Sequence, residues 1–137
     1  MADYPYRLDG ELIIISVILR GKMSAYNGKF VLDTGSSAIV IDHEIAFDLG
    51  YSARDGVGFS SVRSAAGKEK GYRLIIEGFE TLGKKATSIE VRCHDLKDQG
   101  VEGLIGMSFL KHFNWCVHPL RGIVVVEDLR LIPLQTS

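Results

Sequence analysis

The sequence predicts an all-β domain closed on itself, and three observations carry that reading. Short runs rich in Ile, Val, Leu, Phe and Tyr recur along the chain, separated by Gly, Asn and Asp, which is the pattern of strands and turns. Helical signals are confined to two short segments, so regular short strands favour a closed β architecture over an α/β sheet. With 137 residues, 46% of them hydrophobic, residues 1–137 suffice for a single domain around one core.

The elements follow in order. Residues 11–20 and 29–32 read as strands, with Gly21, Asn27 and Gly28 marking the link between them. Asp42 is placed to cap a helix over 43–49 that Gly50 ends. Gly56-Val57-Gly58 reads as a turn, because no long helix follows that would make it a phosphate loop. Strands then follow at 59–63, 72–77 and 87–93. A second short helix is predicted over 108–113 with Ser108 as its cap, before strands at Trp115–His118 and Ile123–Val126. Phe113 and Trp115 read as core aromatics, and Pro133 to Ser137 as a frayed end.

Charge and composition exclude several function classes. The net charge is −1, and Lys68, Lys70, Lys84 and Lys85 are interrupted by Glu69 or sit near turns without interleaved aromatics. That is a solvated surface, with no nucleic-acid or anionic-membrane partner implied. The longest apolar run, 12–19, contains Ser16 and falls well below the roughly 18 residues of a membrane span. Met1 to Arg7 lacks a basic region, an apolar stretch and a small-residue cleavage site, so the expected compartment is the cytoplasm. Cys93 and Cys116 are expected as two buried free thiols. The neighbouring His94, His112 and His118 have no familiar zinc spacing, so no metal and no cofactor is expected. These histidines, with His43, read as surface or strand-end residues.

The informative chemistry lies in Phe30-Val31-Leu32-Asp33-Thr34-Gly35-Ser36-Ser37-Ala38-Ile39-Val40-Ile41. A carboxylate at the end of an apolar strand loses hydration and needs hydrogen-bond donors. Gly35 is suited to a positive φ that turns backbone N–H groups toward Asp33, and the hydroxyls of Thr34 and Ser36 offer further donors. The apolar runs on both sides would hold this loop on rigid strands, where a reactive acid belongs. Seventy residues beyond Asp33 stands Gly103-Leu104-Ile105-Gly106, a segment that lets a strand pass tightly against another backbone. Gly106-Met107-Ser108 is not a nucleophile elbow, since Leu110 replaces the closing glycine.

Taken together, Asp33-Thr34-Gly35-Ser36 and Leu104-Ile105-Gly106 resemble the single-lobed, retropepsin-like aspartic proteases over about residues 10 to 127. The tail from Leu104 to Val126 is most similar to the bacterial members and to the eukaryotic DNA-damage-inducible relatives. The resemblance implies a closed acid-protease barrel with a flap hairpin over 61–72 and a flap tip at Ala65-Ala66-Gly67. It implies Asp33, Thr34 and Gly35 as the catalytic triplet, supported by Ser36, Leu104, Ile105 and Gly106. Gly35, Ser37, Ala65, Ala66 and Gly67 would contact substrate. Thr34 would reach across a dimer axis, and Ser36 would hydrogen-bond the outer oxygen of Asp33. Ser37 and Ala38 stand where many retroviral enzymes carry a carboxylate that grips the substrate backbone.

Only one Asp-Thr-Gly is present, so the resemblance implies a homodimer with one Asp33 from each subunit. The implied function is an aspartic endopeptidase acting on extended peptides with apolar residues at the scissile bond. Two alternatives carry the same loop. One is an inactive protease-fold module for dimerisation or peptide binding; the other is half of a heterodimer.

Overall fold

Strand-forming residues dominate the observed architecture as they dominate the sequence. The structure is a computed structural model that describes residues 1–64 and 67–127, with side chains for all of these except 62–64 and 67–69. Its strands are β1 (Ala2–Pro5), β2 (Arg7–Asp9), β3 (Leu12–Arg20), β4 (Ala25–Leu32), β5 (Val40–Asp42), β6 (Gly58–Ser64), β7 (Gly67–Thr81), β8 (Lys84–His94), β9 (Gly103–Ile105), β10 (Trp115–His118) and β11 (Ile123–Val126). Two short α-helices, α1 (His43–Asp48) and α2 (Met107–Leu110), interrupt them.

Eight strands form one sheet in the order β2-β3-β4-β9-β5-β8-β7-β6. A further pairing of β3 with β7, registering Leu19 with Phe79, joins its two flanks. From Ile15 onward β3 alternates: Ile15, Val17 and Leu19 are buried, whereas Ser16 and Arg20 are exposed. The inward faces deliver Phe30, Ile39, Ile41, Leu74, Ile76, Val91 and Ile105 to one core. Phe30, Phe79, Phe109 and Phe113 run through it as a chain of ring contacts, with centroids 6.1, 5.1 and 5.5 Å apart. Phe113 and Trp115 are half-buried against this core, as the sequence predicts. The second sheet has three strands, β1-β11-β10, and brings the N-terminal strand beside Ile123–Val126.

The helices begin where hydrogen-bonding side chains or tight backbone contacts allow. Asp42 caps α1 by accepting from the Glu44 N–H at 3.2 Å, and its other oxygen accepts from the Leu96 N–H at 2.9 Å. Gly50, with φ at +96°, ends the helix as expected. Asp42→Ala removes both bonds, and a loss of about 1–2 kcal/mol of stability is expected. Urea denaturation checks this, with Asp42→Asn falling between the two because it keeps one acceptor oxygen. The second helix differs from expectation. It covers Met107–Leu110 and its cap is Gly106, while Ser108 lies inside the first turn. The reason is that the first N–H groups of α2 are taken up by carbonyls of another loop, so no capping side chain is required.

Several further expectations are corrected. Cys93 is buried, but Cys116 is exposed because it occupies the outward face of an edge strand; both are free. His94 ends β8 yet is buried, with Nε2 2.9 Å from the Ser60 hydroxyl. Ala65 and Ala66 of the expected flap tip, and Pro133 to Ser137, lie outside the described residues.

Candidate active site

Asp33 follows directly on β4, and its backbone continues the strand by donating to the Ile105 carbonyl at 3.0 Å. The short strand β9 lies between the two strands that flank the loop. It runs parallel to β4, registering Leu32 with Ile105, and antiparallel to β5, registering Val40 with Leu104. The chain therefore leaves the sheet at Leu32, turns through Asp33 to Ile39, and re-enters it at Val40 with β9 filling the gap. Leu104, Ile105 and Gly106 meet the Asp33 loop from beneath, and Ser37 and Ala38 lie within the same assembly.

Gly106 is where two backbones come closest. A Cβ added there would stand 2.2 Å from the Ala38 carbonyl oxygen and 2.6 Å from that of Ser36. With no side chain in the way, the start of α2 docks onto the loop. The Met107 N–H donates to the Ser36 carbonyl at 2.8 Å, and the Ser108 N–H to the Ser37 carbonyl at 3.0 Å. Those are orphan donors of a helix terminus finding orphan acceptors of a turn. The roles of Met107 and Ser108 are absent from the sequence reading, because main-chain donors leave no mark in residue type.

Within the loop, the Ser36 N–H donates to the Asp33 carbonyl at 3.1 Å and closes a tight turn. The Gly35 N–H donates to Asp33 Oδ1 at 2.9 Å. Asp33 is half-buried rather than sealed in the core, and Thr34 is exposed at the loop surface. Two expectations change. Gly35 does not take a positive φ; its lack of a side chain instead leaves room for the carboxylate, since a Cβ would lie 3.2 Å from Asp33 Oδ1. The Ser36 hydroxyl donates to the Ala38 carbonyl at 2.8 Å and not to Asp33, because within one chain the turn aims it along the loop. Gly67 opens β7 and registers with Ser64 at the end of the β6–β7 hairpin.

A second tether, also missed from sequence, secures the same strands. The Glu102 carboxylate accepts from the Tyr26 hydroxyl and, at 2.8 Å, from the Lys29 N–H. Its carbonyl accepts from the Asp42 N–H at 3.0 Å. One residue thus joins β4, β5 and the approach to β9; an acidic side chain directly before Gly103 was the available signal. The bond to Glu102, with burial second, pushes the Tyr26 phenol from its ordinary 10.0 up to about 12. The fold therefore favours the neutral phenol. Its contribution is fully present below pH 10 and is lost as pH rises from about 10 through 12. The stability difference between wild type and Tyr26→Phe should be constant up to pH 10 and shrink across that window, as read from denaturant midpoints.

Among the described residues, Asp42, His43 and Asp95 place potential ligand atoms within 4.8 Å of one another. The Asp42 oxygens already accept from Glu44 and Leu96, and Asp95 Oδ1 from the Lys97 N–H at 3.0 Å. The cluster is thus engaged in holding loops. None of the described helices is long and apolar enough to cross a membrane.

This strand order, with β9 inserted beneath an acid-bearing loop, is the fold of the retropepsin-like aspartic proteases. A family model described as gag-polyprotein putative aspartyl protease matches residues 19–112, and the chain belongs to that family. Among solved structures it is similar to a retropepsin-like aspartic protease from Rickettsia conorii, at 20% identity and a TM-score of 0.68, covering 90% of this chain and 98% of the other. The retroviral protease-like domain of Ddi1 from Leishmania major aligns at 13% identity and a TM-score of 0.58, covering 86% and 90%. EIAV protease, in complex with an inhibitor, aligns at 15% identity and a TM-score of 0.56, covering 72% and 84%. No curated protein matches the chain.

Proposed function

We propose that the chain is a homodimeric aspartic endopeptidase acting as a single domain in the cytoplasm, with Asp33 as its catalytic acid. The observation that carries this reading is the clamped loop. A half-buried carboxyl stands on a turn whose carbonyls are bound by the first N–H groups of α2 and whose start is bound by Ile105. Such rigidity is what a reacting acid needs, because positioning on fixed backbone lowers the cost of reaching the transition state.

One chain supplies one Asp-Thr-Gly, and hydrolysis without a covalent intermediate needs both a base and an acid. Two Asp33 carboxyls on a two-fold axis would share a single proton, since neighbouring like charges resist joint ionisation. The ionised carboxylate takes a proton from water as the water attacks the peptide carbonyl. The protonated partner donates to the carbonyl oxygen and later helps protonate the leaving nitrogen. Thr34, exposed beside the acid, contacts the partner loop, and the Gly35 carbonyl meets the substrate main chain. The β6–β7 hairpin serves as the flap, giving strand-like hydrogen bonds to an extended peptide. Phe59 on β6 is 93% exposed, which fits a preference for apolar segments.

Cleavage of a diverse peptide library, followed by mass spectrometry from acidic to neutral pH over a range of protein concentrations, tests this. Activity per chain should rise with concentration as dimers form. A folded protein that cleaves nothing at any concentration or pH would count against a general endopeptidase and favour the inactive binding module or a narrowly selective protease.

A further inference from the structure

Away from the Asp33 loop, a nucleophile and a base stand together on β10. Cys116 and His118 are two residues apart on this edge strand, so their side chains share one face. Trp115 and Val117 take the other face and pack against the core. The Cys116 Sγ lies 3.1 Å from His118 Nε2, within reach of an S–H···N bond when the imidazole carries its proton on Nδ1. Both residues border a surface hollow of about 340 Å³ that also includes Asp3, Asn114 and Arg121, a volume suited to a small ligand. Arg121 pairs with Asp3 at 3.6 Å and places a cation at the same rim.

We propose that Cys116 is a thiol-modification site, with His118 as its base, that takes a small-molecule disulfide. His118 Nε2 accepts the thiol proton, and the Cys116 thiolate attacks one sulfur of the disulfide. A protein–ligand S–S bond forms as the disulfide's own S–S bond breaks. The departing thiolate then takes the proton from His118 and leaves as a thiol. Cys116 is oxidised, one half of the disulfide is reduced, and no other oxidant is consumed. The chain contains its own negative control. Cys93 is equally free but buried, and burial pushes its thiol up to about 12, so it has neither access nor thiolate character.

The test uses the native full chain with glutathione disulfide, and separately with iodoacetamide, read by intact mass and peptide mapping. One adduct is expected, on Cys116, with Cys93 unmodified until the protein is denatured. Both reactions should run about tenfold or more faster than with N-acetylcysteine at the same pH. His118→Gln and His118→Asn should each slow the Cys116 reaction by about tenfold or more with an unchanged circular dichroism spectrum. A Cys116 rate equal to that of the free thiol, indifference to both His118 substitutions, or preferential labelling of Cys93 would each overturn the proposal. Should both variants unfold, the comparison of wild type with the free thiol still decides.

Discussion

Asp33→Asn should leave the fold intact and lower peptide cleavage by about 10³-fold or more. Asparagine is nearly isosteric and keeps the Oδ1 acceptor that the Gly35 N–H uses at 2.9 Å. The bond from Asp33 N–H to Ile105 is backbone and is unaffected. What disappears is the ability to accept a proton from water or to donate one to the carbonyl oxygen, since an amide does neither. An Asp33→Asn variant that melts with wild-type cooperativity and cleaves at the wild-type rate would remove Asp33 from the chemistry.

The same substitution counts the chains in one site. Equal amounts of wild type and Asp33→Asn, unfolded together and refolded, should assemble at random. If each site needs two Asp33 carboxyls, about one quarter of the dimers are competent. If each chain is self-sufficient, about half of the activity remains. Activity plotted against wild-type fraction is thus quadratic in the first case and linear in the second. The curvature separates a shared site from a one-chain site without a structure of the dimer.

The elements legible in the sequence are those whose signal is local. Trp115–His118 and Ile123–Val126 occur with the predicted bounds, and β3 begins one residue later than predicted, since alternating β-formers between turn residues describe themselves. The hairpin of β7 and β8 was less visible. Its strands are predicted to stop at 77 and resume at 87, yet Thr81 registers directly with Lys84 across a two-residue turn. Leu82 there has φ at +52° and is only 3% exposed. Such turns favour Asn-Gly, and a leucine is tolerated because its side chain belongs to the core. Tertiary burial has overridden turn chemistry. The strand β1 is missed because its partner, β11, lies more than a hundred residues away. The strand β2 is exposed throughout, although a glycine opening the two-residue loop Gly10-Glu11 between Asp9 and Leu12 was a usable hairpin signal. Around the Asp33 loop, the close approach of Leu104-Ile105-Gly106 was readable, whereas the conformation of Gly35 was not, since it lacks the positive φ expected of it. Nor was the hydroxyl of Ser36, because its direction depends on the turn that the whole loop adopts.

Gly106→Ala should be among the most destabilising single-methyl additions in the chain, at about 2–4 kcal/mol. The backbone dihedral is no obstacle, since Gly106 has φ at −102°, which any residue adopts. The obstacle is space: the nearest atoms to an added Cβ are the Ala38 oxygen at 2.2 Å, the Ser36 oxygen at 2.6 Å and the Ala38 carbonyl carbon at 2.7 Å, all of them backbone. No rotamer change relieves them, so either β9 or the Asp33 loop must move. Movement of either lengthens the bonds from Met107 to Ser36 and from Ser108 to Ser37, and the acid loses its fixed base. Gly100→Ala is the matched control. It has the unfavourable φ of +66° but nothing within 4 Å of the new methyl, so about 1 kcal/mol is expected. Guanidinium midpoints for the two variants should separate clearly, with cleavage falling in Gly106→Ala under conditions where most of it is still folded and remaining near wild type in Gly100→Ala. Equal midpoints would mean that the strand and the loop do not pack as closely as these distances require, and the support assigned to Gly106 would fall with them.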